Sequence, residues 1–116
     1  MSSNTSASVN GIDVSHYQGT VNWPAVKSGG NLFAFAKATE RTDIVDSEFA
    51  ANWQGMQAAG VLRGAYHFYD TSQDPQAQAQ NFLKTVGSLA ATDLPPVLDI
   101  ECSSGAYGNN TFSANI

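Results

Sequence analysis

Short apolar segments alternate with helix-patterned segments along most of the chain. The clearest apolar segment covers residues 32–38, is nearly continuous, and is typical of a strand buried on both faces of a parallel sheet. A helix pattern follows over residues 47–59, where Phe49, Trp53 and Met56 fall on one face. Strand, helix, strand repeats connect through right-handed crossovers, so the alternation predicts an α/β fold with a parallel sheet.

The remaining elements follow from the same kinds of signal. Further strands are predicted at residues 11–15, 62–69 and 96–101. Pro24 and Pro75 indicate first helical turns, because proline is tolerated there, and Asp74 is expected to cap the second of these helices. Glycines are expected to stop the three helices, at Gly29-Gly30, Gly60 and Gly87. The last helix is expected to bury an apolar face made of Ala79, Phe82, Leu83 and Val86.

The length and charge of the chain exclude several classes of protein. At 116 residues it allows one domain with a buried core, predicted over residues 11–116 after a flexible polar tail at residues 1–10. Ten acidic and five basic residues give a net charge of -5, which argues against nucleic acid as a partner because phosphate binding depends on Lys and Arg. The tail lacks an apolar core, so neither a signal peptide nor a membrane anchor is predicted. Cys102 is the only cysteine, so it is expected to be a packed thiol rather than half of an internal disulfide.

Polar side chains cluster where the predicted strands end. In parallel sheets, active residues collect at the carboxyl ends of the strands, and these ends meet at one rim. The polar residues expected at that rim are Asp13, Ser15, Lys37, Thr39, Glu40, Tyr66, His67, Tyr69, Asp99 and Glu101. His16 and His67 lack a Cys or His partner at ligand spacing, so structural roles are expected for them rather than zinc binding.

Two carboxylates end the last predicted strand. Asp99 and Glu101 are two residues apart, so in an extended strand with a rise of ~3.3 Å per residue both side chains point the same way. Glycosidases use two such groups, one protonated to donate to the leaving oxygen and one ionised to stabilise or attack the sugar cation. The pair therefore favours cleavage of glycosidic bonds. A magnesium-dependent phosphoryl-transfer protein would use the same carboxylates as ligands, but the chain has no glycine-rich phosphate loop.

Four segments together resemble a known enzyme family. They are GIDVSHYQG at residues 11–19, FAKATE at 35–40, RGAYHF at 63–68 and LDIE at 98–101. In this order they closely resemble glycoside hydrolase family 25, the Chalaropsis-type lysozymes, which are N-acetylmuramidases. The combination of the four motifs, rather than any one of them, makes the match specific. The resemblance implies a modified TIM-like (β/α) barrel that hydrolyses the β-1,4 bond between N-acetylmuramic acid and N-acetylglucosamine in peptidoglycan.

The resemblance also implies roles for particular residues. By motif position, Glu101 corresponds to the general acid and Asp99 to the second carboxylate, which acts either as nucleophile or as helper to the substrate's own acetamido group. Asp13 matches the acidic residue of the first strand and completes the implied catalytic set. The implied substrate-binding residues are Tyr66, Lys37, Gln18 and Phe68. Burial and the negative charge of Asp99 are expected to raise the proton affinity of Glu101.

The chain is shorter than the barrel that the resemblance implies. That barrel has eight strands, of which this chain is expected to supply about four from the N-terminal part. Residues 113–116 are expected to enter the next helix, which would leave the edge of the fourth strand exposed and favour self-association. The resemblance implies peptidoglycan glycan strands as the partner, an extracellular location, and no cofactor or metal. The alternative function is a catalytically incomplete fragment that only binds wall glycan.

Overall fold

The computed structural model describes residues 9–101 and the backbone of residues 111–115. The elements are β1 (Asn10–Val14), a 3-10 turn (His16–Gln18), α1 (Trp23–Ser28), β2 (Asn31–Glu40), β3 (Ile44–Val45), α2 (Phe49–Ala59), β4 (Leu62–Tyr69), α3 (Pro75–Val86), β5 (Val97–Glu101) and β6 (Thr111–Asn115). The four strands and three helices predicted between residues 11 and 101 are all present, with ends within two residues of those predicted. Most of the predicted tail, and Cys102, lie outside the described residues.

The strands form one sheet in the order β1-β2-β4-β5-β6, with β3 paired to β2 outside this path. β1, β2, β4 and β5 run parallel, which confirms the parallel sheet predicted from the strand and helix alternation. The helices pack against β2 and β4, and the sheet curls into half of a (β/α) barrel. The two antiparallel strands, β3 and β6, were not predicted.

The segment that pairs with β5 is a strand rather than the helix expected there. β6 runs antiparallel to β5 along its whole length, from Val97 opposite Asn115 to Glu101 opposite Thr111. The helix expected from residue 113 came from continuing the strand and helix alternation, and it was wrong for residues 113–115. An open strand edge presents unpaired N–H and C=O groups, and β6 pairs with those of β5. The edge that was expected to be exposed is therefore covered.

Small side chains let the helices pack close to the sheet. The side of β2 that faces the helices carries three alanines with 0% exposure, Ala34, Ala36 and Ala38. Phe49 and Met56 of α2 are buried in the same cluster, which confirms the predicted face of this helix. Trp53, the third residue of that face, is half-buried and its ring lies 4.0 Å from the guanidinium of Arg63 on β4. The core thus lies between the helices and the centre of the sheet.

The buried face of α3 differs from the predicted one. Phe82 is buried as predicted, but Ala79 is exposed and Leu83 is 64% exposed. The residues that face the sheet beside Phe82 are polar, Gln78 at 0% and Asn81 at 5% exposure. Both side chains donate hydrogen bonds to backbone carbonyls of neighbouring loops and of β3. Because buried polar groups need partners, these hydrogen bonds decide the rotation of α3, and apolar spacing alone predicted it wrongly.

Helix ends follow the predicted capping signals. The Asp74 carboxylate accepts a hydrogen bond from the backbone N–H of Ala77 at 2.7 Å and caps the start of α3. Gly60 ends α2 in a left-handed conformation with a φ of 77°, which glycine adopts without steric cost. Within the part of the chain that the structure describes, no helix is both long and apolar enough to cross a membrane.

Candidate active site

Alternate residues of the parallel strands lie on the face of the sheet opposite the helices. The strand register places Lys37 opposite Tyr66 and Phe68 opposite Asp99. Because side chains two residues apart in a strand share a face, Glu101 lies beside Asp99. Six of the seven site residues predicted from the sequence therefore share this face: Asp13, Lys37, Tyr66, Phe68, Asp99 and Glu101. The seventh, Gln18, lies in the turn after β1.

An irregularity in β2 decides which side chains share the site. The pairing of β2 with β4 slips by one residue between Lys37 and Thr39, so Lys37 and Glu40 point to the same face. The Lys37 ammonium donates a short hydrogen bond to a carboxylate oxygen of Glu40, and it lies 5.1 Å from the centre of the Phe68 ring. Glu40 was expected at the rim but was not among the predicted site residues. Regular alternation along β2 would turn its side chain away from Lys37.

The Asp99 carboxyl holds its proton more tightly than an ordinary aspartate. Burial, together with the neighbouring Glu101 and Asp13 carboxylates, raises the pKa of Asp99 to about 7, and the Lys37 cation opposes this rise. The Oδ1 atom of Asp99 is buried and has no hydrogen-bond partner among the described residues. A proton shared with Glu101 lets the two carboxyls hydrogen-bond to each other. Near neutral pH, the pair therefore keeps a proton in a substantial fraction of the molecules.

The tightly held proton was expected on Glu101, and the structure differs from that expectation. Glu101 is the last residue of β5 and its side chain is exposed, whereas Asp99 lies deeper in the strand and is half-buried. Burial disfavours the charged form of a carboxyl, so its effect falls on Asp99. Motif position does not show which of two neighbouring carboxyls the sheet covers. The hydrogen bond between the two carboxyls gives the proton on Asp99 a path to Glu101.

Tyr66 is a hydrogen-bond donor at the centre of this acidic cluster. Its side chain is half-buried on β4. Burial raises the pKa of the Tyr66 hydroxyl, and the negative charges of Asp13, Asp99, Asp46 and Glu101 raise it further. The hydroxyl therefore stays protonated and can donate a hydrogen bond to an oxygen atom placed in the site.

Asp46, which sequence reasoning did not single out, holds the turn after β1. Its side chain is 0% exposed and accepts a hydrogen bond at 2.7 Å from the ring Nδ1 of His16. It also accepts from the backbone N–H groups of His16 at 3.1 Å and Glu48 at 2.9 Å. Burial by itself would raise the pKa of Asp46, but these hydrogen bonds lower it below the usual range, so the carboxylate stays ionised. No local motif signals this role, because His16 and Asp46 are 30 residues apart.

Gln18 is tied into the same turn. Its amide oxygen accepts a hydrogen bond from the backbone N–H of Ser15 at 2.7 Å, and the Ser15 hydroxyl accepts one from the backbone N–H of Tyr17 at 3.2 Å. This reciprocal pattern is a capping box, which fixes the start of the 3-10 turn. The contact shown for Gln18 is therefore structural, and its role in substrate binding stays a prediction.

His67 links three elements behind the site. It is 2% exposed, and its Nδ1 and Nε2 atoms lie 2.7 Å from the Thr39 hydroxyl and 2.8 Å from the Gln78 amide oxygen. Gln78 also accepts from the backbone N–H of Asp70 and donates to backbone carbonyls, which fixes its amide orientation. His67 therefore carries its proton on Nε2, and Thr39 donates to Nδ1. Burial lowers the pKa of His67, so the neutral ring has a structural role.

Other features of the molecule lie away from the carboxyl pair. Between α3 and β5 there is an apolar groove of about 510 Å³, whose lining includes Phe82, Leu83, Leu98 and Ile100. A second cavity, of about 530 Å³, lies beside α2. Within residues 9–101 and 111–115, no three His, Cys, Asp or Glu side chains are grouped so that they could hold a metal ion.

A parallel β/α half-barrel with two carboxyls at a strand end is the architecture of a barrel glycoside hydrolase. The sequence matches the family model "Glycosyl hydrolases family 25" over residues 12–115. The chain therefore belongs to glycosyl hydrolase family 25, which confirms the family predicted from the four motifs.

Named relatives of this family are about twice as long as the chain or longer. Lysozyme M1 of Streptomyces globisporus is 48% identical over 109 residues, which cover 89% of this chain and 37% of the relative. The structure of the bacterial lysozyme from Streptomyces coelicolor is 47% identical with a TM-score of 0.79, covering 87% of this chain and 48% of that chain. A family 25 glycosyl hydrolase from Bacillus anthracis is 33% identical with a TM-score of 0.80, covering 86% of this chain and 46% of that chain. The likeness confirms the predicted partial barrel.

Proposed function

We propose that the chain is the N-terminal part of a muramidase that hydrolyses the β-1,4 bond between N-acetylmuramic acid and N-acetylglucosamine in bacterial peptidoglycan. The observation that carries this proposal is the Asp99 and Glu101 pair, which retains a proton near neutral pH beside Asp13. Glycosidic cleavage needs a proton donor and an ionised carboxylate close together. Relatives named lysozyme and N,O-diacetylmuramidase support the same activity.

The proposed reaction uses the shared proton of the pair. Glu101 donates it to the glycosidic oxygen while the bond from that oxygen to the muramic acid ring breaks. Ionised Asp99 stabilises the positive charge that develops on the ring, assisted by the negative charge of Asp13. Asp99 acts either as nucleophile or by orienting the acetamido group of the substrate, and both routes use its ionised form. Water then attacks the ring carbon and gives a proton to Glu101, which restores the acid.

The other residues of this face are proposed to bind and orient the sugar. The Tyr66 hydroxyl, which stays protonated, would donate a hydrogen bond to a sugar oxygen. Lys37 lowers the pKa of Asp99 and so favours its ionised form after the proton has moved to the leaving group. The Phe68 ring lies beside Lys37 and offers an apolar surface to the sugar.

Peptidoglycan digestion tests the proposal directly. The purified chain and its Glu101→Gln variant are incubated with peptidoglycan, and mass spectrometry is used to find fragments that end in reducing N-acetylmuramic acid. Glutamine keeps the shape of glutamate but cannot donate the proton, so release is expected from the unsubstituted chain alone, while binding to peptidoglycan is retained. Equal release by the two proteins would contradict the role of Glu101.

A glycan-binding piece without activity is the second candidate. Glu101 is exposed, whereas a general acid works best in a covered site. The chain also covers only about half the length of the solved relatives. Co-sedimentation with insoluble peptidoglycan, without any release of reducing ends from a folded sample, would identify this function.

We also propose an extracellular location and self-association. The proposed substrate lies outside the cell membrane, and the relatives include an autolytic lysozyme from Clostridium acetobutylicum. Because β6 covers the edge of β5, the proposed contact between copies is the apolar groove between α3 and β5 instead of that edge. Leu83 of this groove is 64% exposed, so it offers apolar surface to a second copy of the chain.

A further inference from the structure

The turn after β1 presents an aromatic side chain to solvent at the rim of the sheet. Tyr17 is 83% exposed. In the part of the chain that the structure describes, it is the most exposed large hydrophobic residue. It lies three residues beyond the end of β1, at the same carboxyl end of the sheet that carries Asp13 and Asp99. None of the roles assigned above uses this ring.

Several contacts hold the Tyr17 ring in place. It stacks on the ring of His16, with 4.4 Å between the ring centres and 30° between the planes. His16 is in turn fixed by its ring and backbone hydrogen bonds to the buried carboxylate of Asp46. The capping box between Ser15 and Gln18 fixes the backbone of the same turn. An exposed aromatic side chain on a surface turn would ordinarily be free to move, whereas this one is held before any ligand arrives.

Asp46, which holds His16 against Tyr17, also acts on Tyr66 at the carboxyl site. The negative charge of Asp46 contributes to the raised pKa of the Tyr66 hydroxyl, as do the charges of Asp13, Asp99 and Glu101. Asp46 therefore lies within electrostatic range of the carboxyl cluster while it also holds His16. Asp46 bonds to His16, and Tyr17 stacks on His16. The exposed ring therefore lies at the margin of the site.

We propose that Tyr17, supported by His16, forms a stacking subsite for a sugar unit of the glycan strand at the margin of the carboxyl site. Pyranose rings have apolar C–H faces, and a flat aromatic ring offers matching surface at low cost in conformational entropy. A polymer substrate extends beyond the bond that is cut, so further units need contacts outside the central site. This subsite rests on the proposed action on glycan strands and adds a place where the strand is held.

Glycan length provides the test. Soluble fragments of alternating N-acetylglucosamine and N-acetylmuramic acid, two and six sugars long, are titrated calorimetrically into four proteins that all carry Glu101→Gln, so that the fragments are not cut. One is otherwise unsubstituted, and the others add Tyr17→Ala, Tyr17→Phe or Leu62→Ala. Mass spectrometry checks that the fragments stay intact during the titration. Leu62 is the matched control, because it is exposed and apolar but lies at the start of β4, at the opposite end of the strand from the rim.

We expect Tyr17→Ala to weaken binding of the six-sugar fragment by about five- to tenfold and to leave the two-sugar fragment nearly unchanged. Tyr17→Phe keeps the ring and should bind like the otherwise unsubstituted protein, as should Leu62→Ala. Equal affinity of Tyr17→Ala for the long fragment, or the same loss for both lengths, would overturn the subsite. Failure of the otherwise unsubstituted protein to bind either fragment would overturn the proposed function together with the subsite, so the two failures are distinguishable.

Discussion

At the scale of single residues, burial separates two carboxyls that are chemically almost the same. Asp99 and Glu101 are two positions apart on one strand, but the half-buried Asp99 has its pKa raised to about 7 while Glu101 reaches solvent. Asp46 shows the opposite outcome. It is more deeply buried, yet hydrogen bonds from His16 and Glu48 lower its pKa. The number of donors around a carboxylate, as well as its burial, therefore decides its charge in this protein.

The raised pKa of Asp99 predicts a pH-dependent stability. From about pH 4 to about pH 7, the folded state binds more protons at Asp99 than the unfolded state, so this group makes the folded state less stable as the pH rises. Asp99→Asn removes the titration. Its melting temperature should exceed that of the unsubstituted chain by about 3–6 °C at pH 8 and by little at pH 4, when both are measured by circular dichroism.

A second variant checks the origin of that effect. Glu101→Gln removes the neighbouring charge but leaves Asp99 in place, so it should lower the pKa of Asp99 and reduce the pH dependence without abolishing it. A constant melting difference between the unsubstituted chain and Asp99→Asn across the whole pH range would contradict the assigned titration.

Lys37 is predicted to tune the same carboxyl. Replacing it by methionine keeps a long apolar side chain but removes the positive charge, so the pKa of Asp99 should rise by about half to one pH unit. The measurement is an NMR titration of the labelled Asp99 carboxyl carbon. Lys37→Arg keeps the positive charge and should leave the titration of Asp99 unchanged. Lys84→Met removes a positive charge in the last turn of α3, away from Asp99, and should also leave it unchanged.

At the scale of elements, buried polar contacts fix how α3 sits on the sheet. Gln78 bonds to the ring of His67 on β4 and to the backbone of Asp70 after it, and His67 bonds to Thr39 on β2. The slip in β2 that turns Thr39 toward His67 is the same one that brings Glu40 to Lys37. One irregularity in a strand therefore organises both faces of the sheet.

Replacing Gln78 by alanine should destabilise the fold strongly. The change leaves the Nε2–H of His67 and the backbone groups of Asp70 without partners in a buried place, which we expect to lower the free energy of unfolding by about 2–4 kcal/mol. Urea denaturation followed by tryptophan fluorescence measures the effect. Gln80→Ala is the matched control on the exposed side of α3, and its effect should stay within about 0.5 kcal/mol. Similar losses for the two variants would show that the buried network is not the cause.

At the scale of the whole molecule, a half-barrel leaves apolar surface without a covering element. Helices cover β2 and β4, whereas Leu98 and Ile100 of β5 line an open groove with Phe82 and Leu83 of α3. The matched region spans about half the length of the solved relatives. Burial of apolar surface drives association, and this groove is therefore where copies of the chain are expected to meet.

Sedimentation velocity tests this association over a range of protein concentrations. The unsubstituted chain should show a weight-average mass that rises with concentration, and Leu83→Glu should stay close to the mass of one chain, because a charge in the groove opposes its burial. Val9→Glu changes an exposed apolar residue beside β1, outside the groove, and should behave like the unsubstituted chain. Monomeric behaviour of the unsubstituted chain at every concentration would rule out the proposed contact.

The sequence by itself determined the three helices, the four parallel strands, the family and six residues of the face that carries Asp99 and Glu101. Those features depend on short-range periodicity and on the spacing of motifs, which can be read along the chain. Asp13, Asp99 and Glu101 could be placed together because parallel strands bring their carboxyl ends to one rim. The tail and Cys102 lie outside the described residues, so predictions for them stay predictions.

The tertiary structure alone decided which carboxyl is buried, which residue joins Lys37, how α3 is rotated and that β6 pairs with β5. It also connected His16 to Asp46 across 30 residues of sequence and thereby fixed the exposed ring of Tyr17 at the rim. Each of these features depends on a contact between segments that are distant along the chain, or on a one-residue slip in strand register. Because local patterns carry no information about such contacts, only packing of the whole sheet and its helices could decide them.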